Sequence, residues 1–362
     1  MAALLPRPGV LEIDPYVPGK SWLAGSGRII RLASNESALG PSPRAVAAFE
    51  RAAAELGRYP DGASTALRQA IGARFGLDPA RIVCGSGSDE LMSLLGRAFA
   101  GPGDEVLYSQ YGFLMYPIVA HSVGARSVTA PETELRADVD ALLGKVTART
   151  RLVFLANPNN PTGSYVPRDE VERLRGGLPE DVLLVLDAAY AEYVTAEDYS
   201  PGVELVDAGD NVVMTRTFSK LFGLASLRIG WAYCPPGVAD VLNRLRNPFN
   251  LTGPAQAAGA AAIEDVEFAD KARAHNGLWL PWLSDRLSAL GLHVYPSIAN
   301  FVLVRFPAES GRDAEAANGF LNDKGIIVRE VAGYDLPDCL RITVGLEEEM
   351  RAVVDALAEF VD

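Results

Sequence analysis

Between residues 81 and 215 short apolar runs alternate with stretches of helical period. The runs 81–84, 105–108, 151–156, 182–186 and 211–215 are apolar throughout rather than alternating. A strand with one wet face alternates, so these predict strands of a sheet covered on both sides. The helical stretches 91–99, 169–175 and 238–245 supply that cover, and helices between strands make a sheet mostly parallel. Upstream, 43–56 and 64–75 predict two helices separated by the turn Tyr59-Pro60-Asp61-Gly62. Residues 1–40, rich in Pro, Gly and Ser, read as an extended arm. Beyond Asn247-Pro248-Phe249-Asn250 a long alanine-rich helical region, 254–290, precedes strands at 301–305, 326–329 and 340–344 and a closing helix at 347–360. The expectation is an α/β chain in three parts. An arm, 1–40, joins the small domain; 41–250 forms a large domain on a mostly parallel sheet flanked by helices; 251–362 supplies an interdomain helix and a smaller α+β domain.

Composition removes several classes of function. A formal net charge of −13 argues against nucleic-acid backbones as partners, which call for a basic stripe. A small phosphorylated substrate stays open, because a few arginines in a cleft decide that locally. Cys84, Cys234 and Cys339 are far apart with no CxxC pair, so neither disulfides nor a zinc site are expected. His121, His275 and His293 are equally scattered, and no metal is expected. No run approaches a membrane span and the start lacks an apolar leader core, so the expected location is the cytoplasm, with no membrane partner.

Ligands of open α/β sheets bind beyond the carboxyl ends of the strands. Three predicted strands end in unusual chemistry. One runs into Asn157-Pro158-Asn159-Asn160-Pro161-Thr162-Gly163, one into Asp187-Ala188-Ala189-Tyr190, and one into Thr217-Phe218-Ser219-Lys220, with Arg228 eight residues further on. An amine at a sheet mouth can hold an aldehyde cofactor as a Schiff base. Hydroxyls and a guanidinium beside it suit a phosphate. Together they suggest pyridoxal 5′-phosphate (PLP). Asp187 would keep its pyridine nitrogen protonated, Asn160 and Tyr190 would bond its phenolate oxygen, and Lys220 would carry the proton. Cys84-Gly85-Ser86-Gly87-Ser88-Asp89 breaks a strand and opens a helix, an anion site to which Ser86, Gly87, Ser88, Thr217, Ser219 and Arg228 are assigned. It is not a dinucleotide loop, since Glu90 stands where GxGxxG needs glycine. Tyr111 is a candidate to stack on the ring. Any one of these pieces alone would be ordinary turn chemistry; their order at three strand ends is what favours a site.

On these residues the chain resembles, over essentially its full length, the class I/II aminotransferases of PLP fold type I. The motifs are Asn160-Pro161-Thr162-Gly163, Asp187 with Tyr190, Thr217-x-Ser219-Lys220 and Arg228. Within that family it is most similar to the histidinol-phosphate aminotransferases. The resemblance implies transamination between histidinol phosphate or imidazole-acetol phosphate and 2-oxoglutarate or glutamate, in histidine biosynthesis. It implies that Arg341 and Arg329 face the substrate, a small amino donor or 2-oxo acid. Pro15-Tyr16-Val17-Pro18-Gly19 and Leu32-Ala33-Ser34-Asn35-Glu36 match the subfamily's N-terminal pieces, placing Tyr16 and Asn35 among the substrate-binding residues. It implies a homodimer with shared sites, Tyr59 reaching the cofactor phosphate of the other subunit. The chain departs from the subfamily at Ser109-Gln110 before Tyr111, where Pro-Thr is usual, at Leu346 and Met350, and at Ser37-Ala38. An aromatic amino-acid aminotransferase, or a PLP-dependent decarboxylase of the same fold, therefore stays open.

Overall fold

Seven strands form the central sheet in the order Ile82–Ser86, Ile229–Tyr233, Val212–Thr217, Leu183–Asp187, Thr150–Ala156, Glu105–Ser109 and Arg126–Ala130. This is a computed structural model describing residues 6–15, 22 and 28–362. Every neighbouring pair is parallel except those of Ile229–Tyr233, which runs antiparallel to both its partners. Five of the seven strands coincide with the apolar runs.

Both faces of this sheet are buried, and successive side chains divide between them. Val153 and Leu155 enter one apolar cluster while Leu152 and Phe154 enter the other; Leu184 and Leu186 part from Leu183 and Val185 in the same way. The first face is covered by Thr65–Phe75, Val139–Lys145, Arg168–Gly177 and Gly253–Glu264, the second by Ser88–Phe99, Met115–Val123 and Pro236–Leu245. Each fully buried Leu, Val or Phe contributes about 1.5–3 kcal/mol relative to exposure, which is why these strands tolerate no polar alternation.

The predicted helical run 254–290 is two helices, Gly253–Glu264 and Val266–Ala289. Asp265 separates them: it leaves helical geometry and its carboxylate accepts the amide of Phe268 at 3.4 Å, an N-cap. The second helix packs Ala269 and Ala272 on the large core but Trp279, Leu283 and Leu287 on a separate one. That second core lies under an antiparallel sheet ordered His293–Tyr295, Phe301–Arg305, Cys339–Thr343, Arg329–Glu330. The expected strand 326–329 is split, because Ile326–Ile327 pairs in parallel with Ile30–Arg31 of the arm. Among the described residues no helix is long and apolar enough to cross a membrane.

Candidate active site

Asp187, Thr217 and Lys220 meet at the carboxyl edge of the central sheet, where the small sheet and the arm roof a crevice. Asp187 is the last residue of its strand and is buried. Tyr116 donates its hydroxyl to Oδ2 at 2.9 Å, and Oδ1 has no hydrogen-bond partner. Burial raises the Asp187 pKa to about 7, opposed by the Tyr116 hydrogen bond and reinforced by the charge of Asp89. Such a carboxylate is short of a cation.

Lys220 Nζ donates to the Ser34 carbonyl at 3.1 Å and lies 5.6 Å from the centre of the Tyr190 ring. Burial, then the nearby Arg341 charge, lowers its pKa to about 8. The amine is therefore neutral, and nucleophilic, far more often than an exposed lysine. The Tyr190 hydroxyl accepts from Asn35 Nδ2 at 2.9 Å, and burial holds its own proton on. Asn160 Oδ1 accepts from Arg341, which also donates to the Ala33 carbonyl at 2.7 Å. The other asparagines of that turn are architectural. Asn157 exchanges two 2.9 Å bonds with the backbone of Val166, and Asn159 bonds Thr162 at 3.0 Å.

The anion cup is built by close approach of a side chain to the backbone. Gly87 takes φ +82, and a Cβ there would meet Arg228 Nη2 at 2.6 Å. Ser88 opens the helix Ser88–Phe99, whose free amides and dipole favour an anion. Arg228 reaches Asp89 at 3.1 Å and Ser219 Oγ at 3.3 Å, while Thr217 Oγ1 accepts the Ser219 amide at 3.1 Å.

Several residues singled out in the sequence stand elsewhere. Tyr111 does not line the crevice; its amide is held by Glu132 at 3.1 Å and it packs against the apolar cluster of Leu303, Val331, Tyr334, Leu336 and Cys339. Phe113 lines the crevice instead. The Ser86 hydroxyl donates to the Asn250 carbonyl, and Asp89 takes a place beside Ser88 in the crevice wall. Asn35 lines the crevice, but its amide is engaged by Thr343 and Tyr190. Arg329 and Arg341 both line it. Tyr59 is 83% exposed and stacks on Phe249 at 4.6 Å, away from the crevice of its own chain. Tyr16 lies outside the described residues. Tyr116, Phe113, Asp89 and Tyr334 were not singled out. Tyr116 sits in a helix whose apolar face continues through Val119 and Ala120, and nothing in that period marks it as polar-facing.

The donor set fits PLP. The partnerless Asp187 Oδ1 is placed for a protonated ring nitrogen, Lys220 for the aldehyde carbon, and the glycine-lined helix start for the phosphate.

Residues 27–357 match the family model of aminotransferase class I and II. A histidinol-phosphate aminotransferase of Paramagnetospirillum magneticum is 62% identical over 361 residues, covering 100% of this chain and 99% of that protein. Another, of Rhodospirillum centenum, is 60% identical with the same coverage. Among solved structures, the histidinol-phosphate aminotransferase of Sinorhizobium meliloti in complex with pyridoxal-5′-phosphate superposes with a TM-score of 0.85 at 34% identity, covering 92% of this chain and 91% of that one. The relatives span the whole chain and the strand-end residues carry the family's motifs: the chain belongs to the class I and II aminotransferases.

Proposed function

We propose that the chain is a PLP-dependent histidinol-phosphate aminotransferase, exchanging an amino group between histidinol phosphate and 2-oxoglutarate in histidine biosynthesis. Identities of 62% and 60% over its full length to enzymes of that name support the substrate. The observation that carries the chemistry is the pairing of a lysine with lowered pKa and a buried carboxylate with one partnerless oxygen across one crevice.

PLP would be held by Asp187 at its ring nitrogen, by Tyr190 and Asn160 at its phenolate oxygen, by Phe113 against its face, and by Gly87, Ser88, Asp89, Thr217, Ser219 and Arg228 at its phosphate. Bound there, it supplies an electron sink for the carbanion formed at the substrate's α-carbon. Lys220 is the base that takes the α-proton: at Nζ a pKa near 8 keeps the neutral form available and the proton transferable in both directions. Arg341 and Arg329 give the crevice two fixed cations. A phosphate on one substrate and carboxylates on the other both meet them, so one pocket serves both half-reactions.

In this reading the chain divides into the arm at 1–40, the large PLP-binding domain at 41–250 and the unit at 251–362, and works in the cytoplasm. The stacked Tyr59 and Phe249 (83% and 44% exposed) form an apolar surface that a second copy would cover. The active form is then a homodimer in which Tyr59 reaches the partner's cofactor phosphate.

The test is the visible spectrum of the PLP-loaded protein, titrated separately with histidinol phosphate, phenylalanine and glutamate. Bleaching by histidinol phosphate at far lower concentration than by phenylalanine is expected; the reverse order would make it an aromatic aminotransferase. Release of carbon dioxide would identify a decarboxylase. Lys220→Ala should abolish both turnover and the lysine-linked absorption band.

A further inference from the structure

Asn35 is buried and sits at φ +54, a left-handed conformation that asparagine adopts more readily than most residues but that still needs support. The small sheet supplies it. Thr343, at the end of Cys339–Thr343, accepts the Asn35 amide on Oγ1 at 3.0 Å and donates its hydroxyl to Asn35 Oδ1 at 3.1 Å. Asn300 Nδ2 donates to the carbonyls of Asn35 and Glu36 at 3.1 and 3.2 Å. A threonine hydroxyl has one hydrogen, and Oδ1 of Asn35 receives it. The orientation of the Asn35 amide is thereby set, with Nδ2 turned to the Tyr190 hydroxyl at 2.9 Å. Tyr190 receives a hydrogen bond from behind and keeps its own hydrogen for the crevice it lines.

We propose that Thr343 is a positioning residue for transamination: acting through Asn35, it fixes the direction of the Tyr190 hydrogen bond so that Tyr190 is a donor into the crevice. The inference rests on the PLP reading above. With PLP bound, Tyr190 would give this hydrogen to the phenolate oxygen and stabilise its charged form, so the visible absorbance of the loaded protein would titrate at a lower pH. Thr343 lies two residues from Arg341, on the same face of the strand, and Arg341 reaches Asn160. One strand of the small sheet therefore addresses both residues assigned to the phenolate oxygen. The charged and titratable groups around Tyr190 are Arg341, Tyr334, Asp187, Lys220, Tyr193 and Tyr116; Thr343→Val alters none of them.

The experiment is a pH titration of the visible absorbance of PLP-loaded wild type, Thr343→Val and Thr343→Ser, with melting temperatures alongside. Valine keeps the shape and removes the hydroxyl; serine restores it. The midpoint should rise by about 0.5–1 pH unit in Thr343→Val and return in Thr343→Ser. An unchanged midpoint in Thr343→Val, with only its melting temperature lowered, overturns the proposal and leaves Thr343 a structural residue. If Thr343→Val does not fold, Asn35→Gly decides, since glycine accepts φ +54 and removes Nδ2. The same upward shift supports the relay and an unshifted midpoint ends it. A wild type with no titrating band at all brings down the cofactor reading itself, an outcome distinct from a band that titrates identically in every variant.

Discussion

The Tyr116 hydroxyl donates to Asp187 Oδ2 from a ring that is itself fixed, stacked on Phe154 at 4.7 Å with planes 4° apart. The carboxylate is thus held from behind, and its other oxygen is left without a hydrogen-bond partner in a residue that lines the crevice. Tyr116→Phe keeps the stack and removes the bond that most lowers the Asp187 pKa. We expect a protein that folds normally and binds PLP about tenfold or more weakly, the scale of one hydrogen bond to a charged group. Equilibrium dialysis of PLP measures it; unaltered affinity would reduce Tyr116 to a packing role.

Asp187 also predicts a pH dependence. Its pKa rises from 3.8 to about 7 on folding without cofactor. Between those values the folded protein holds a proton that the unfolded chain has released, so stability falls as pH rises through that window and levels off above it. Asp187→Asn removes the titration. The melting temperature of the cofactor-free variant should exceed that of wild type by a margin that grows from pH 4 to 7 and is constant beyond. In the PLP-loaded wild type the ring cation compensates the carboxylate, and the decline should disappear. A margin independent of pH would mean that Asp187 is not the group responsible.

Legibility in the sequence followed unbroken apolar runs. Strands with two covered faces, such as Thr150–Ala156 and Leu183–Asp187, announce themselves as unbroken apolar runs, and the residues at their ends could be read directly. Two strands of the central sheet escaped. Arg126–Ala130 is the exposed edge of the sheet and carries a mixed pattern, while Ile229–Tyr233 holds Gly230 where an apolar run would have shown. The lysine, the carboxylate and the asparagine turn were legible because their polarity contradicts their surroundings. Phe113 and Tyr116 were not: both lie among apolar neighbours, and only the path of the chain after Ser109 decides which aromatic meets the cleft.

That path yields its own prediction. Tyr111 is pinned by Glu132 and packs against the cluster that holds Tyr334, whereas Phe113 lines the crevice and meets Tyr116 edge-on at 6.0 Å. Phe113→Ala should weaken PLP binding several-fold, by loss of a stacked face worth about 0.5–1.5 kcal/mol beyond its area. Tyr111→Ala should lower the melting temperature and leave PLP affinity within about twofold. The opposite ranking of the two affinities would return the stacking role to Tyr111.

Gly230 controls the anion cup from the neighbouring strand. It pairs with Gly85 and Thr217, and a Cβ on it would stand 2.2 Å from Ser88 N and 2.4 Å from the Gly87 carbonyl carbon. Both are backbone atoms, so alanine can be accommodated only by moving the start of Ser88–Phe99, the amides that would face the phosphate. Gly230→Ala should therefore destabilise the fold by about 1–3 kcal/mol and weaken PLP more than it weakens pyridoxal, which lacks the phosphate. Gly237→Ala is the control: a Cβ there meets nothing within 4 Å, and its helix should be unchanged or slightly firmer. Equal losses for PLP and pyridoxal would place the damage in the general packing of the sheet rather than in the cup.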